Sequence, residues 1–529
     1  MKYRAVCHIV SLLLLVLGLC MLLATLVSVL AEDKRQDALM LLASAVTTLC
    51  AGGLGVRFSR RRPGEEEFST SAREGYAAVA FAWIVASLFC ALPFVAVAHF
   101  TPVDAIFEAA SGLTTTGASI IGDEMRLLGN SNACEVKGRL ELLPYGLLFW
   151  RSMMNWIGGV GIVFFLLLIL PLMHVTQGKQ LYNAEVPGMK TKGDQLTPRL
   201  ATSVKWILGV YCMLTLLAAV LYTYFGMEPF DGICHAFSTI STGGFSTKCA
   251  SIGAFNPRIQ WCVTAFMLVS ACNFSLIIKL FLGRSLASRF GFLKDEEFRF
   301  FALMVLIATV IISVGICQQV SKGVEVVSSS GVPVKSVSDC IRIATFQVAS
   351  VCSTTGFGTS DYISWRIPLA LLLIGVMMLP CGCGGSTAGG MKCSRVIVLI
   401  KQLAYEIKHC ILPRTLPDVR LNGERLDSDM VAKTFSFVLL YLSIFVMVAI
   451  GVSVFEALAN SGKCDLATAI GASLTSISNV GPGFGAVGPS ENFAWMCWAS
   501  KLLLSFTMIT GRLELYTVLV ILFPSFWRR

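Results

Sequence analysis

Long apolar stretches alternate with short polar connections along the whole chain of 529 residues. A helix rises about 1.5 Å per residue, so about 20 apolar residues cross the ~30 Å hydrocarbon core of a membrane. Ten stretches approach or exceed that length, near residues 5–30, 38–56, 76–98, 145–172, 203–226, 259–282, 299–317, 367–400, 432–458 and 495–523. The pattern therefore predicts an all-α polytopic membrane protein, and the first stretch is too long for a typical signal peptide.

Positive charge indicates the side of the membrane on which each connection lies. Lys and Arg total 42 against 32 Asp and Glu, which gives a formal net charge of +10. The basic excess lies in four connections, at 57–75, 173–202, 283–298 and 401–431. Cytoplasmic loops carry such an excess, so these four are predicted to be cytoplasmic. An even number of spans then places both termini in the cytoplasm, and this distribution argues against a nucleic-acid partner.

Four short segments rich in Gly and Thr recur at regular intervals between the apolar stretches. They read TTTGA (114–118), STGGF (241–245), STTGF (353–357) and SNVGP (478–482), and we call them the aligned loops. Their aligned glycines, 127, 112 and 125 residues apart, are Gly117, Gly244, Gly356 and Gly481. This regular spacing indicates an internal repeat, and a repeat of this length sets the architecture of the whole chain.

A moderately apolar segment that begins with an aspartate precedes each aligned loop. The aspartates, which lie 13, 13, 17 and 16 residues before the aligned glycines, are Asp104, Asp231, Asp339 and Asp465. Asp is a favoured helix N-cap, so each is predicted to begin a half-helix, with the last two half-helices about one turn longer. Capping and the attraction of cations, to which Glu108 would add, explain the aspartates equally well.

The repeating unit is therefore a span, a half-helix, an aligned loop and a second span. The predicted organisation is two N-terminal helices (1–62) followed by four helix–pore-loop–helix repeats around a pseudo-fourfold pore. The repeats are predicted to cover residues 63–175, 176–284, 285–412, where the inner helix is interrupted, and 413–529.

The aligned loops are predicted to form a selectivity filter for a cation. Non-helical backbone is tolerated at membrane depth only where it is buried in protein or lines a water-filled path. Four loops around one axis can replace the hydration shell of a cation with backbone carbonyls. A single glycine-rich turn would be explained more simply by close helix packing, whereas four copies in phase favour a pore. The predicted ion-binding residues are Thr115, Thr116, Gly117, Thr242, Gly243, Gly244, Thr354, Thr355, Gly356, Asn479, Val480 and Gly481.

Three further segments resemble the Trk/Ktr/HKT family of potassium transporters. They read FWRSMMNWIGGVGI (149–162), GCGGSTAGGMK (382–392) and GRLELYTVLVILFPSFW (511–527). With the aligned loops, the resemblance covers nearly the whole chain, and the two extra N-terminal spans make it most similar to the TrkH branch. Gly117 agrees with selectivity for potassium, because sodium-preferring relatives have a serine at this position.

The resemblance implies potassium uptake across the bacterial cytoplasmic membrane by a homodimer with one pore in each subunit. It also implies a cytosolic regulatory subunit of TrkA type that binds a nucleotide, whereas this chain would bind potassium and no organic cofactor. A secondary transporter that couples potassium to sodium or protons remains the alternative. No catalytic motif is found, so no enzymatic activity is predicted, and the pair Cys381 and Cys383 lacks the second pair that a transition-metal site needs.

The sequence CGCGGSTAGG (381–390) interrupts the eighth apolar stretch and is predicted to be a gate. Its glycines hold a regular helix poorly, so we expect a loop to enter the path beneath the third aligned loop. Carbonyls in such a loop need a partner, and Arg512, expected mid-way along the last span, has five donors and a permanent charge. The resemblance places the equivalent arginine beside this loop, although Cys381 and Ala388 replace glycines common in relatives. The predicted gate residues are Gly384, Gly385, Ser386, Thr387, Gly389, Gly390 and Arg512.

Overall fold

Helices are the main secondary structure of the described part of the chain in a computed structural model. The structure describes residues 3–59, 72–122, 124–125, 134–135, 139–161, 200–282, 290–413 and 419–528. The α-helices are Tyr3–Leu30, Arg35–Ser59, Ala72–Cys90, Leu92–Ala96, Pro102–Leu113, Tyr145–Val160, Leu200–Tyr224, Pro229–Ile240, Pro257–Ser270, Phe274–Leu282, Glu296–Ser321, Val337–Cys352, Pro368–Met377, Cys393–Ile411, Ser428–Leu458, Leu466–Ser478, Trp498–Arg512, Tyr516–Leu522 and Pro524–Trp527. Short 3-10 helices are Arg139–Leu142, Ser251–Ala254, Phe290–Lys294 and Gly485–Val487. Two antiparallel hairpins of two-residue strands pair Glu124–Met125 with Cys134–Glu135, and Arg420–Leu421 with Glu424–Arg425.

Six helical segments in the described ranges are long and apolar enough to cross a membrane, by length and composition. They are Tyr3–Leu30, Arg35–Ser59, Arg73–Ala96, Lys205–Tyr224, Glu296–Ser321 and Ser428–Leu458. Two bent pairs raise the number to as many as eight if each counts as one span. Large apolar side chains such as Leu439 and Ile450 are exposed on these helices, as surfaces that face lipid require. The predicted helical membrane fold is therefore confirmed.

Two predicted spans are broken rather than continuous, and that part of the prediction is wrong. Stretch 259–282 contains Pro257–Ser270 and Phe274–Phe281, which meet at 105°, and stretch 495–523 contains two helices that meet at 120°. Hydropathy averages over a window and cannot detect such a break. The eighth stretch is interrupted as predicted, and residues 378–392, between its two helices, are called the interrupting loop. Residues 162–172 of the fourth stretch lie outside the described residues.

Four half-helices lead into the four aligned loops, in the order that the repeat predicts. Half-helices 1 to 4 are Pro102–Leu113, Pro229–Ile240, Val337–Cys352 and Leu466–Ser478. Only the third is a full turn longer, with 16 residues against 12, 12 and 13 in the others. The prediction of a longer fourth half-helix is wrong. Its aspartate lies further from the glycine because Asp465 precedes the helix instead of lying inside its first turn.

Only one of the four aspartates is the predicted N-cap. Asp465 accepts a hydrogen bond from the backbone N–H of Thr468 at 2.8 Å, as a capping residue does. The other three lie in the first turn of their half-helices, where their charge still suits the positive end of the helix. Their carboxylates pair with basic side chains, and the partners are Lys501 for Asp104, Lys248 for Asp231 and Arg342 for Asp339.

The N-terminal helices pack closely on each other and dock on the first repeat. A Cβ added to Gly18 would lie 2.6 Å from Leu49 Cγ, so the two helices approach closely at this point. Asp33, in the turn between them, accepts hydrogen bonds from the backbone N–H groups of Tyr145 and Gly146 at 3.0 and 2.9 Å. The helix pair therefore supplies the N-terminal cap of helix Tyr145–Val160.

Candidate functional site

The backbone of the aligned loops repeats one unusual conformation. The residue two before each aligned glycine has a left-handed φ of 53–57° and is Thr115, Thr242, Thr354 or Asn479. The aligned glycines have φ values of 71–99°. A left-handed conformation costs a β-branched residue about 1–3 kcal/mol, and such strain concentrates at functional sites. Three threonines that carry this cost at equivalent positions indicate that the loop shape is functional.

The four aligned loops close into a ring in which each glycine packs against the next loop. A Cβ added to an aligned glycine would lie 1.9–2.6 Å from a carbonyl oxygen of the next loop in sequence order, with the fourth returning to the first. The contacts are Gly117 with Gly243 O, Gly244 with Thr355 O, Gly356 with Val480 O, and Gly481 with Thr116 O. Each of these oxygens belongs to the residue immediately before an aligned glycine. The ring is therefore pseudo-fourfold, and only glycine fits at these four positions.

The twelve predicted ion-binding residues all lie in this ring, but their side chains differ in their partners. Thr242 donates its hydroxyl to the carbonyl of Thr387 at 3.0 Å, and Thr354 accepts from the backbone N–H of Gly389 at 2.8 Å. Thr115 Oγ1 and Asn479 Oδ1 are buried without a hydrogen-bond partner in the described part of the chain. The ring thus has two sides whose threonines are hydrogen-bonded to the interrupting loop and two whose side-chain oxygens are unpaired.

Hydroxyl pairs hold the shape of two aligned loops from within. Thr114 Oγ1 lies 2.7 Å from Thr116 Oγ1, and Ser353 Oγ lies 2.7 Å from Thr355 Oγ1 at the equivalent positions. Asn479 links the first and fourth loops, because its amide donates to Thr116 Oγ1 at 3.0 Å. These bonds fix the orientation of the backbone carbonyls that precede the glycines.

A buried arginine, which sequence reasoning did not assign to the site, links the first two aligned loops. Arg151 Nε donates to Glu108 at 2.6 Å, and both side chains are almost fully buried. Its other nitrogens donate to Ser119 Oγ at 3.0 Å and to the carbonyl of Ser246 at 2.8 Å, two residues beyond an aligned glycine in each case. The guanidinium also lies 3.6 Å from the centre of the Phe245 ring. Glu108 is therefore paired with Arg151, and this buried ion pair, which we call the brace, stabilises the ring.

Removal of this brace is expected to destabilise the protein strongly. Arg151→Met leaves the Glu108 carboxylate buried and without its cation, which costs about 3–5 kcal/mol of unfolding free energy. Denaturant titration in detergent micelles measures this loss. Lys433→Met is the matched control, because Lys433 pairs with Asp429 on an exposed helix face, where an ion pair contributes little to stability. An equal effect of the two substitutions would show that Arg151 does not brace the ring.

The interrupting loop reaches the ring through a short central segment. Thr387 donates its hydroxyl to the carbonyl of Ile240, the last residue of half-helix 2, at 3.0 Å. Gly389 packs beside half-helix 4, since an added Cβ would lie 2.5 Å from the carbonyl oxygen of Ser478. With the bonds to Thr242 and Thr354, the segment 387–389 therefore contacts the second, third and fourth repeats at the ends of their half-helices.

Arg512 lies against this segment, but at a helix end rather than mid-span as predicted. It is the last residue of helix Trp498–Arg512, directly before the 120° bend. Its guanidinium donates to the carbonyl of Thr387 at 2.8 Å and to that of Gly158 at 2.9 Å. The carbonyl oxygen of Thr387 accepts hydrogen bonds from both Thr242 and Arg512, and these two bonds occupy its two lone pairs. Arg512 thus connects the fourth repeat, the interrupting loop and the first repeat.

The other predicted gate residues contact groups outside the ring and fasten the loop. Gly384 donates its N–H to Glu297 at 2.7 Å, and Gly385 accepts from the N–H of Phe274 at 3.1 Å. Ser386 bonds within the loop, to the carbonyl of Cys383, and Gly390 packs against the Cys381 side chain with a φ of 72°. The predicted gate residues therefore form two groups. Three lie beside the ring, namely Thr387, Gly389 and Arg512, and the other four fasten the loop to its surroundings.

Comparison with known proteins agrees with this geometry. A family model for TrkH, described as a cation transport protein, matches residues 40–528. The chain is 34% identical to the Trk system potassium uptake protein TrkH of Escherichia coli strain K12, over all of both chains. It is 31% identical to the Trk system potassium uptake protein TrkG of the same strain, over 99% of each. The fold matches the crystal structure of the potassium transporter TrkH from Vibrio parahaemolyticus with a TM-score of 0.81 and 31% identity, over all of both chains. The chain therefore belongs to the TrkH family of cation transport proteins.

Proposed function

We propose that this protein takes up potassium across the bacterial cytoplasmic membrane through the ring of aligned loops. The observation that carries the proposal is the closed contact between each aligned glycine and a carbonyl of the next loop. Backbone carbonyls around one axis replace the hydration shell of a permeating cation, as in potassium filters. The names of the full-length relatives, which are potassium uptake proteins, support potassium as the cation.

The half-helices supply an electrostatic contribution to the same site. Each ends at its aligned loop, so the negative ends of four helix dipoles converge beneath the ring. This arrangement favours a cation on the inner side of the filter. The unpaired oxygens of Thr115 and Asn479 are additional ligands at this depth.

The gate in this proposal is the segment 387–389 together with Arg512. The segment lies against three half-helix ends, and the guanidinium adds a permanent positive charge at the place that a cation must pass. Opening requires that the segment leave Thr242, Thr354 and Arg512. The segment moves relative to the residues that fasten the loop, which we call the loop base. The loop base contains Gly384, Gly385, Ser386 and Gly390.

Liposomes that contain the purified protein test the proposal. Potassium is expected to flow down its gradient at clamped pH and without sodium, and sodium flux down a matched sodium gradient is expected to be much smaller. Flux that instead requires a sodium or proton gradient would favour the alternative, a secondary transporter that couples potassium to these ions. The absence of potassium flux under all gradients, also when the TrkA-type subunit and nucleotide are present, would contradict the proposed function.

The assembly that we propose is a homodimer of this chain that binds a nucleotide-binding TrkA-type subunit on its cytoplasmic side. Both termini of the chain lie in the cytoplasm in this proposal. The relatives are named as members of the Trk system, which supports partners in general terms. The division into a helix pair (1–62) and four repeats remains part of the same proposal. The dimer, the regulatory subunit and the orientation are testable by cross-linking and by labelling from each side of the membrane.

Charge reversal on the predicted cytoplasmic loops is expected to weaken binding of the regulatory subunit. Lys408 is exposed near the end of helix Cys393–Ile411, whereas Lys179, Lys190, Lys192 and Arg414 lie outside the described residues. Reversal of three of these charges should reduce co-purification of the subunit, and the reduction should shrink at high salt because exposed charges are screened. Unchanged co-purification would favour the alternative that these charges serve only to set the topology.

A further inference from the structure

One carboxylate fastens the chain on both sides of the segment 387–389. Glu297 is the second residue of helix Glu296–Ser321, and its side chain is 8% exposed. Its Oε1 atom accepts the backbone N–H of Gly384 at 2.7 Å and that of Ser394 at 2.8 Å. Gly384 precedes the segment 387–389, and Ser394 follows it in the first turn of helix Cys393–Ile411. A single side chain therefore holds the loop on both sides of the part that reaches the ring.

The other attachments of the loop base are weaker in kind. Cys383 donates its N–H to the carbonyl of Ala271 at 2.9 Å, and the carbonyl of Gly385 accepts from Phe274 at 3.1 Å. Both are bonds between neutral backbone groups. Hydrogen bonds to an ionised carboxylate are roughly twice as strong as neutral ones. Glu297 is therefore the strongest fastening of the loop base among these contacts.

The two residues before Glu297 hold the hairpin Arg420–Arg425, which lies in a connection predicted to be cytoplasmic. Asn422, in the turn of this hairpin, donates its amide to Asp295 Oδ2 at 2.7 Å and accepts the backbone N–H of Glu296 at 2.8 Å. Lys401 donates to Glu296 at 2.5 Å and to the carbonyl of Arg420 at 2.7 Å. Three consecutive residues thus bind the hairpin on one side and the interrupting loop on the other.

The hairpin is also packed on the helix that follows the loop. Its residues Val419, Leu421 and Leu426 are buried in one cluster with Ile397 and Val398 of helix Cys393–Ile411. Its turn remains exposed to solvent at Asn422, Gly423 and Glu424. Displacement of the exposed turn is therefore coupled to helix Cys393–Ile411 through this packing, and to the start of helix Glu296–Ser321 through the hydrogen bonds of Asn422.

We propose that Glu297 is a positioning residue for the gate, and that Asp295 and Glu296 connect it to the hairpin on which the cytosolic subunit acts. The inference rests on the proposed function of the segment 387–389 as a gate. When the subunit displaces the hairpin, the start of helix Glu296–Ser321 moves with it. The Glu297 carboxylate then loses Gly384 and Ser394, and the loop base is free to leave the ring. Allosteric coupling of this kind requires an element with two arrangements that both sites influence, and the loop base is that element.

The first test is Glu297→Gln in full-length protein in liposomes. Loss of the charge weakens two charge-assisted hydrogen bonds, so unstimulated potassium flux is expected to rise about tenfold. Glu325→Gln, at an exposed position beyond the other end of the same helix, is the matched control and is expected to leave flux unchanged. Selectivity over sodium and elution as a dimer show that the variant is folded. Labelling of Cys383, which is 1% exposed, should also become faster as the loop base opens.

The second test separates transmission from the gate itself. Asn422 has a φ of 50°, so Asn422→Gly keeps the turn and removes only the side chain that bonds Asp295 and Glu296. The ratio of flux with purified TrkA-type subunit and nucleotide to unstimulated flux is expected to fall toward one, while the subunit still binds. Asn460→Gly, at an exposed turn with a φ of 51°, is the control.

The outcomes distinguish this inference from the proposed gate. If Arg512→Ala raises unstimulated flux and Glu297→Gln does not, the gate stands and the role of Glu297 is wrong. If neither substitution raises it, both are wrong. Normal stimulation of the Asn422→Gly variant would overturn the connection to the hairpin even if Glu297→Gln behaves as expected.

Discussion

Gly117→Ser is expected to lower the potassium-to-sodium permeability ratio strongly. A Cβ at this position would lie 2.5 Å from the carbonyl oxygen of Gly243, and the residue has a φ of 82°, which side chains other than glycine rarely adopt. Such overpacking costs about 1–3 kcal/mol, equivalent to about a 5- to 150-fold change in the relative stability of two arrangements of the ring. The displaced carbonyl no longer matches its three counterparts, so the fit to potassium is lost. Reversal potentials in mixed potassium and sodium solutions measure the ratio.

A second glycine separates displacement of the carbonyl from backbone strain. Gly331 has a φ of 80°, close to that of Gly117, but nothing lies within 4 Å of its Cβ position. Gly331→Ser therefore introduces the same strain in open space, and the permeability ratio should remain that of the wild type. Gly481→Ser is expected to resemble Gly117→Ser, since its Cβ would lie 2.6 Å from Thr116 O. Unchanged ratios in both Gly117→Ser and Gly481→Ser would contradict the filter.

Arg512→Ala is expected to raise potassium flux in the absence of the regulatory subunit. The substitution removes the hydrogen bonds to Thr387 and Gly158 together with the positive charge. Hydrogen bonds to charged groups contribute about 1.5–3 kcal/mol, so the open fraction should increase about 10- to 150-fold. Deletion of residues 384–389 removes the segment itself and should also raise potassium flux in the absence of the subunit. Tracer uptake into liposomes without the subunit measures both variants.

Arg512→Lys distinguishes the charge from the bridge. Lysine keeps the positive charge but lacks the rigid fork that reaches two carbonyls at once, so an intermediate flux is expected. Arg258→Ala, at an exposed position on helix Pro257–Ser270, is a control for loss of a charge elsewhere. If Arg512→Ala and the deletion are dimeric and selective but retain the wild-type unstimulated flux, the barrier lies elsewhere in the chain.

Sequence alone determined the features that depend on local composition and on repetition. The apolar stretches predict a helical membrane protein, because burial of backbone polar groups in lipid leaves few other solutions. The four aligned loops could be found because their glycines recur in phase, and the structure places all four at equivalent backbone conformations. The interruption of the eighth stretch was visible for a similar reason, since a run of glycines opposes a helix regardless of its surroundings.

The tertiary structure decided which distant groups meet, and local patterns carry no record of that. Arg151 and Glu108 are 43 residues apart, and Arg512 and Thr387 are 125 apart, so neither pair leaves a periodic signal. The aspartate prediction failed because Asp104, Asp231 and Asp339 lie inside the first turn of their helices instead of capping them. Asp104 and Asp231 bind basic side chains brought near by folding, whereas Asp339 binds Arg342, three residues further along the same helix. The breaks in the sixth and tenth stretches are equally invisible, since the chain there remains apolar on both sides. The closed order of the ring, in which each glycine meets the next loop, exists only when four segments more than 100 residues apart share one axis.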